Sequence, residues 1–117
     1  MVNNQKVYFG FALADSMFSG DCKIERSILS VEESKDLIET AIPCINPSHT
    51  ATIDAMRGRY GIDVKIPESP PQVCLAEGDS LVVMAVRGLP RLTDRHEYTD
   101  DEVAKATFQF TRYNVVD

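Results

Sequence analysis

A single α/β (α+β) domain, a mixed sheet of about five strands with flanking helices, is what this sequence predicts. Three observations predict it. Val7, Phe9, Phe11 and Leu13 alternate with Lys6, Tyr8, Gly10 and Ala12, the period-two pattern of a strand. Two capping boxes, Ser30 with Glu33 and Thr99 with Glu102, mark helix starts. The run Leu81-Val82-Val83-Met84-Ala85-Val86 is apolar on both sides, which suits a central strand.

The remaining elements follow in chain order. After the first strand, Asp15 to Asp21 is rich in Ser, Gly and Asp and reads as a loop. Cys22 to Leu29 reads as a second, more polar strand with Ile24 and Ile28 turned inward. Ser30 opens a helix that runs to about Ala41, where Pro43 ends it. Ile42 to Ile45 makes a short strand. A second helix starts near Ser48, carries Ile53, Met56 and Tyr60 at helical spacing, and stops at Gly61. Pro67, Pro70 and Pro71 mark an extended loop. Gln72 to Ala76 and Ser80 to Val86, split by Glu77-Gly78-Asp79, read as a hairpin. Arg87 to Tyr98 is a polar loop. A short capped helix follows, with Val103 and Ala106 inward, and Thr107 to Val116 is the closing strand. No repeat, linker or low-complexity tract divides the chain, so one domain is expected over residues 1–117.

Composition narrows the function. A chain of 117 residues with a 44% hydrophobic fraction suits one folded domain. Acidic residues number 18 against 12 basic, for a net charge of -6. That balance argues against a long nucleic acid as partner, since phosphate backbones need a basic surface. It leaves room for a small anion in a locally positive pocket. The cysteines Cys22, Cys44 and Cys74 are widely spaced with no C-x-x-C pair, which disfavours zinc and fits a reducing cytoplasm. Neither a secretory pattern nor a membrane-length apolar run is visible.

One histidine stands out. His49 sits at the start of the second helix, between Ser48 and Thr50. The first amides of a helix favour anions and disfavour imidazolium. A phosphate bound there would restore the imidazole's proton affinity, making His49 a general acid or an anion contact. The plainer alternative is that Ser48 caps the helix and His49 is a half-exposed surface residue. Arg87, Arg91 and Arg95 cluster after the apolar strand, either as a phosphate clamp or as a solvated loop. Gly58-Arg59-Tyr60-Gly61 is too short for a nucleotide loop and reads as a helix terminus, with Arg57 and Arg59 on its carboxyl-end dipole.

The order of these segments resembles the small viral ring-nuclease family, anti-CRISPR proteins of archaeal viruses and phages that degrade cyclic tetra-adenylate. The resemblance rests on Val7-Tyr8-Phe9 followed by Ala12, and on Ser48-His49-Thr50-Ala51-Thr52-Ile53, similar to the family's Gly-His-x-Ser-Thr helix start. It also rests on Glu77-Gly78-Asp79, Pro90, the capped segment Thr99 to Val103 and the final Phe/Tyr/Val strand. It implies a homodimer with the cyclic ligand across its interface. It further implies His49 as general acid on the leaving ribose oxygen, a ribose 2′-hydroxyl as nucleophile, and neither metal nor cofactor. This chain departs from the family's ligand cradle. Phe11 and Ala14 match an Asn and a Ser, and Leu89 and Leu92 match an arginine and an acidic residue, with Arg87 and Arg91 displaced nearby. The expectation is a counter-defence protein in the host cytoplasm that binds a cyclic nucleotide and sequesters or cleaves it, using His49, Ser48, Thr50, Phe11, Arg87 and Arg91. The alternatives are an acidic inhibitor that binds a host defence nuclease and a ligand-free structural viral protein.

Overall fold

A computed structural model describes residues 6–18, 20–45, 49–69, 71–88 and 98–116. Among these residues five strands form one sheet: β1 (Val7–Gly10), β2 (Lys23–Leu29), β3 (Ile42–Pro43), β4 (Ser80–Arg87) and β5 (Thr107–Val116). Their order across the sheet is β2-β5-β4-β1-β3. β1 runs parallel to both neighbours, with Tyr8 opposite Ile42 on one side and Leu81 on the other. β5 runs antiparallel to β4 and β2, pairing Tyr113 with Leu81 and with Arg26. The helices are α1 (Val31–Thr40), α2 (Thr50–Tyr60) and α3 (Asp100–Lys105).

Strand alternation gives the sheet two faces. Phe9, Val82, Met84 and Phe110 form the main core on one face, beneath Ile38 of α1 and Ile53 and Met56 of α2. Ile62 and Val64, which follow α2, join the same core. Tyr8, Leu81 and Val115 project from the other face against Val73 and Leu75, with Met17 and Phe18 alongside. The mixed sheet with flanking helices is thus the architecture that the periodicity implied.

Both capping boxes form. The Ser30 hydroxyl accepts from the Glu33 amide at 3.1 Å, and Glu33 accepts from the Ser30 amide at 3.1 Å. The Thr99 hydroxyl accepts from the Glu102 amide at 3.2 Å, and Glu102 accepts in return at 2.9 Å. Each box satisfies amides that a helix start leaves without partners. α2 ends on Gly61 at φ 70°, the left-handed conformation that a residue without Cβ adopts freely.

Three expectations are corrected. β1 ends at Gly10, before Phe11 and Leu13. A Cβ at Gly10 would lie 2.9 Å from the Cys44 sulfur, so the backbones pack closely there before the chain bends out of the sheet at Phe11. The 72–76 hairpin does not form, because β1 and β5 occupy both edges of β4. Instead, Val73 and Leu75 cross the second face, and the Leu75 amide donates to the Met17 carbonyl at 2.7 Å. The Glu77-Gly78 turn is held by the buried Asp79 carboxylate, which accepts from the amides of Lys6 at 2.9 Å and Ala76 at 3.0 Å. Finally, Ile24 and Ile28 do not point into a core. β2 is an edge strand, and these residues are 41% and 57% exposed, beyond the cover of Val73 and Leu75.

Candidate functional site

Because β1, β3 and β4 are parallel, their carboxyl ends lie at one end of the sheet. The chain goes from β1 to β3 on one side and later to β4 on the other. In open α/β sheets, ligands bind beyond the strands' carboxyl ends at such a change of direction. Phe11 directly follows β1, His49 follows β3, and Arg87 is the last residue of β4. The topology therefore gathers residues far apart in sequence at one end of the sheet.

His49 is the residue from which α2 departs. Its φ of -94° and ψ of 7° are not helical, and the helix begins at Thr50, slightly later than the sequence suggested. The imidazole is half-buried and meets the Phe11 ring edge-on, with centroids 4.6 Å apart and planes at 90°. Phe11 in turn meets the buried Phe9 edge-on at 5.8 Å. Each such pair contributes about 0.5–1.5 kcal/mol beyond burial and fixes ring orientation. His49 is thereby tied to the main core through two aromatic contacts while standing at the amino end of a helix.

The other predicted residues divide. Thr50 is exposed at the first helical position. Arg87 is exposed at the same end of the sheet, but alternation places it on the face of Leu81 and Val83, opposite that of Phe9. The structure brings together His49 and Phe11 and does not bring Arg87 onto their face. Ser48 and Arg91 lie outside the described residues, as do Leu89 and Leu92. Arg57 pairs with Asp54 and Asp63, both at 2.9 Å. Arg59 extends beyond its own helix, and its guanidinium donates to the carbonyls of Val103, Ala104 and Ala106 at 2.7, 3.0 and 2.9 Å. It caps the carboxyl end of α3 and fastens α3 to α2.

Sequence reasoning missed the space between these two helices. A cleft of about 440 Å³ lies along Ala51, Asp54, Ala55, Gly58 and Arg59 of α2, with Tyr98, Val103 and Ala104 opposite. The available signal was a glycine within a helical run, which had been assigned to helix termination. Burial raises the Cys44 thiol's proton affinity, and its S–H donates to the Phe9 carbonyl at 2.9 Å. Among the described residues no cluster of three His, Cys, Asp or Glu could hold a metal, and no helix is long and apolar enough to cross a membrane.

No protein-family model matches the chain, and no curated protein matches it. Among solved structures, the chain is similar to B116 of Sulfolobus turreted icosahedral virus, with a TM-score of 0.68 at 20% identity. The match covers 93% of this chain and 98% of that one. The protein therefore shares its fold, over nearly its whole length, with a protein of an archaeal virus.

Proposed function

We propose that this chain is a viral counter-defence protein that captures a cyclic oligoadenylate-like second messenger of the host. The observation that carries the reading is the placement of His49. It stands at the amino end of α2, oriented by Phe11, beyond the carboxyl ends of the parallel strands β1, β3 and β4. A phosphate there meets helix-start amides and an imidazole together. Thr50 and Ser48 add hydroxyl donors, and Phe11 supplies an apolar wall. Arg87 adds positive charge at the carboxyl end of β4, on the opposite face of the sheet, and Arg91 is proposed as a second cation from its place in the sequence. The ring-nuclease resemblance supplies the homodimer, in which two such sites share one cyclic ligand.

Sequestration is the form of the activity that we favour. Leu89 and Leu92 stand where the resembled family carries an arginine and an acidic residue. Loss of such a transition-state contact typically removes several kcal/mol of stabilisation, on the order of a hundredfold or more in rate. Calorimetric titration with cyclic tri-, tetra- and hexa-adenylate tests capture. The expected result is one tight ligand per dimer, returned intact after heating and chromatography. His49→Ala should weaken binding by roughly 10–100-fold, the scale of one hydrogen bond to a charged group. Release of linear products, with turnover about a hundredfold slower in His49→Ala, would replace sequestration with acid-catalysed cleavage. No uptake of any cyclic nucleotide refutes the proposal.

A further inference from the structure

We propose that the cleft between α2 and α3 is a purine-base pocket, held open by the missing side chain of Gly58 and read by Asp54. The choice of ligand rests on the nucleotide reading above; the claim that the cleft is a binding site does not. Gly58 lies within α2, and glycine is the poorest helix former after proline. Among the described residues neither backbone conformation nor packing asks for it. Among the described residues the positive-φ glycines are Gly61, Gly78 and Gly88, so Gly58 needs no special backbone conformation. A Cβ built at Gly58 would meet no atom of the described residues within 4 Å, so none of them demands close approach. Its remaining physical effect is on the cleft it lines, where any side chain would take up space.

The lining suits a flat, amino-bearing ring. Ala51, Ala55 and Gly58 form a smooth floor, and the half-buried Tyr98 offers an aromatic surface for stacking. The cleft's volume of about 440 Å³ falls in the range of small-ligand sites. Asp54 borders it with a carboxylate that accepts and cannot donate. Its Oδ1 already accepts from Arg57 at 2.9 Å. A carboxylate there recognises an exocyclic amino group.

Backbone amide NMR of the full chain tests the pocket with adenosine, which carries no phosphate, and with purine riboside, which is adenosine without its amino group. Adenosine is expected to shift amides of 51–58 and 101–104. Purine riboside should bind at least several-fold more weakly, and Asp54→Asn should narrow that difference. Gly58→Leu should weaken adenosine at least tenfold. Gly58→Ala, whose methyl meets none of the described residues, is the variant that folds without strain and should weaken it by a smaller factor. The pocket is overturned if millimolar adenosine moves none of these amides, or if both folded Gly58 variants bind it as the parent does. Equal binding of the two nucleosides overturns the role of Asp54. Adenosine filling the cleft while cyclic tetra-adenylate fails to bind supports the pocket and refutes only the messenger reading.

Discussion

Replacing Gly58 with alanine should make the protein more stable, by an amount that follows from the position. α2 covers Thr50–Tyr60, and Gly58 sits in its last turn with no left-handed backbone to lose. Alanine is better than glycine by about 0.8–1.0 kcal/mol in a helix interior. Fraying near the carboxyl end reduces this to roughly 0.5–1 kcal/mol, part of it through a less free unfolded chain. The new methyl meets no atom of the described residues within 4 Å, so neither a packing gain nor a clash enters the sum. For a domain of this size the gain corresponds to a Tm rise of roughly 2–4 °C. Urea unfolding and calorimetry would measure it, with Gly61→Ala as the opposite control. At φ 70° that substitution forces alanine into the left-handed region, a cost of about 1–2 kcal/mol. A neutral or destabilising Gly58→Ala would mean that the methyl meets something in solution, and the open cleft on which the reasoning depends would be wrong.

Other predictions follow from the same geometry. Gly10→Ala should destabilise by about 1–3 kcal/mol through overpacking against the Cys44 sulfur 2.9 Å away, and Cys44→Ala in the same chain should recover much of that loss in a double-mutant cycle. Arg59→Ala should loosen α3 by about 1 kcal/mol and speed amide exchange there, since it removes bonds to three exposed-end carbonyls. The Ser30 amide, and then its hydroxyl, hold the Glu33 carboxyl below its ordinary value of 4.5. The folded value is therefore the lower one. Its contribution to stability is complete above pH 4.5 and fades as pH falls through the folded value, which NMR titration of Glu33 and acid unfolding would follow. Cys22 and Cys74 are exposed and should react quickly with a thiol reagent, whereas burial raises Cys44 and should make it the slow one.

Local chemistry was readable in the sequence because the residues that determine it are neighbours. Ser30 with Glu33, Thr99 with Glu102, and Gly61 after Tyr60 each define a helix end within a few positions, and each behaves as read. The two-sided apolar pattern of Leu81 to Val86 correctly placed β4 in the sheet interior. Pairing was harder to read. The turn Glu77-Gly78-Asp79 was recognised, but a turn does not state which strands will take the two edges of β4. Alternation likewise gave Ile24 and Ile28 a common face without saying whether anything covers it. At the candidate site, His49 and Phe11 were both singled out, and their contact at 4.6 Å depends on a parallel pairing of β1 with β3 that no local pattern encodes. The α2/α3 cleft was missed for the same reason: it exists only once Arg59 reaches another helix.

The position of β5 governs how this protein can be made. The last strand of the chain lies between β2 and β4 and is the only described neighbour that β2 has. As synthesis proceeds, β2 emerges before β5 and waits for that partner until residues 107–116 have been made. During that interval Ile24 and Ile28 sit on an unpaired ribbon, and β4 presents a bare hydrogen-bonding edge. A stop between Arg87 and Thr107 would therefore leave a product in which β2 and one edge of β4 both lack a partner.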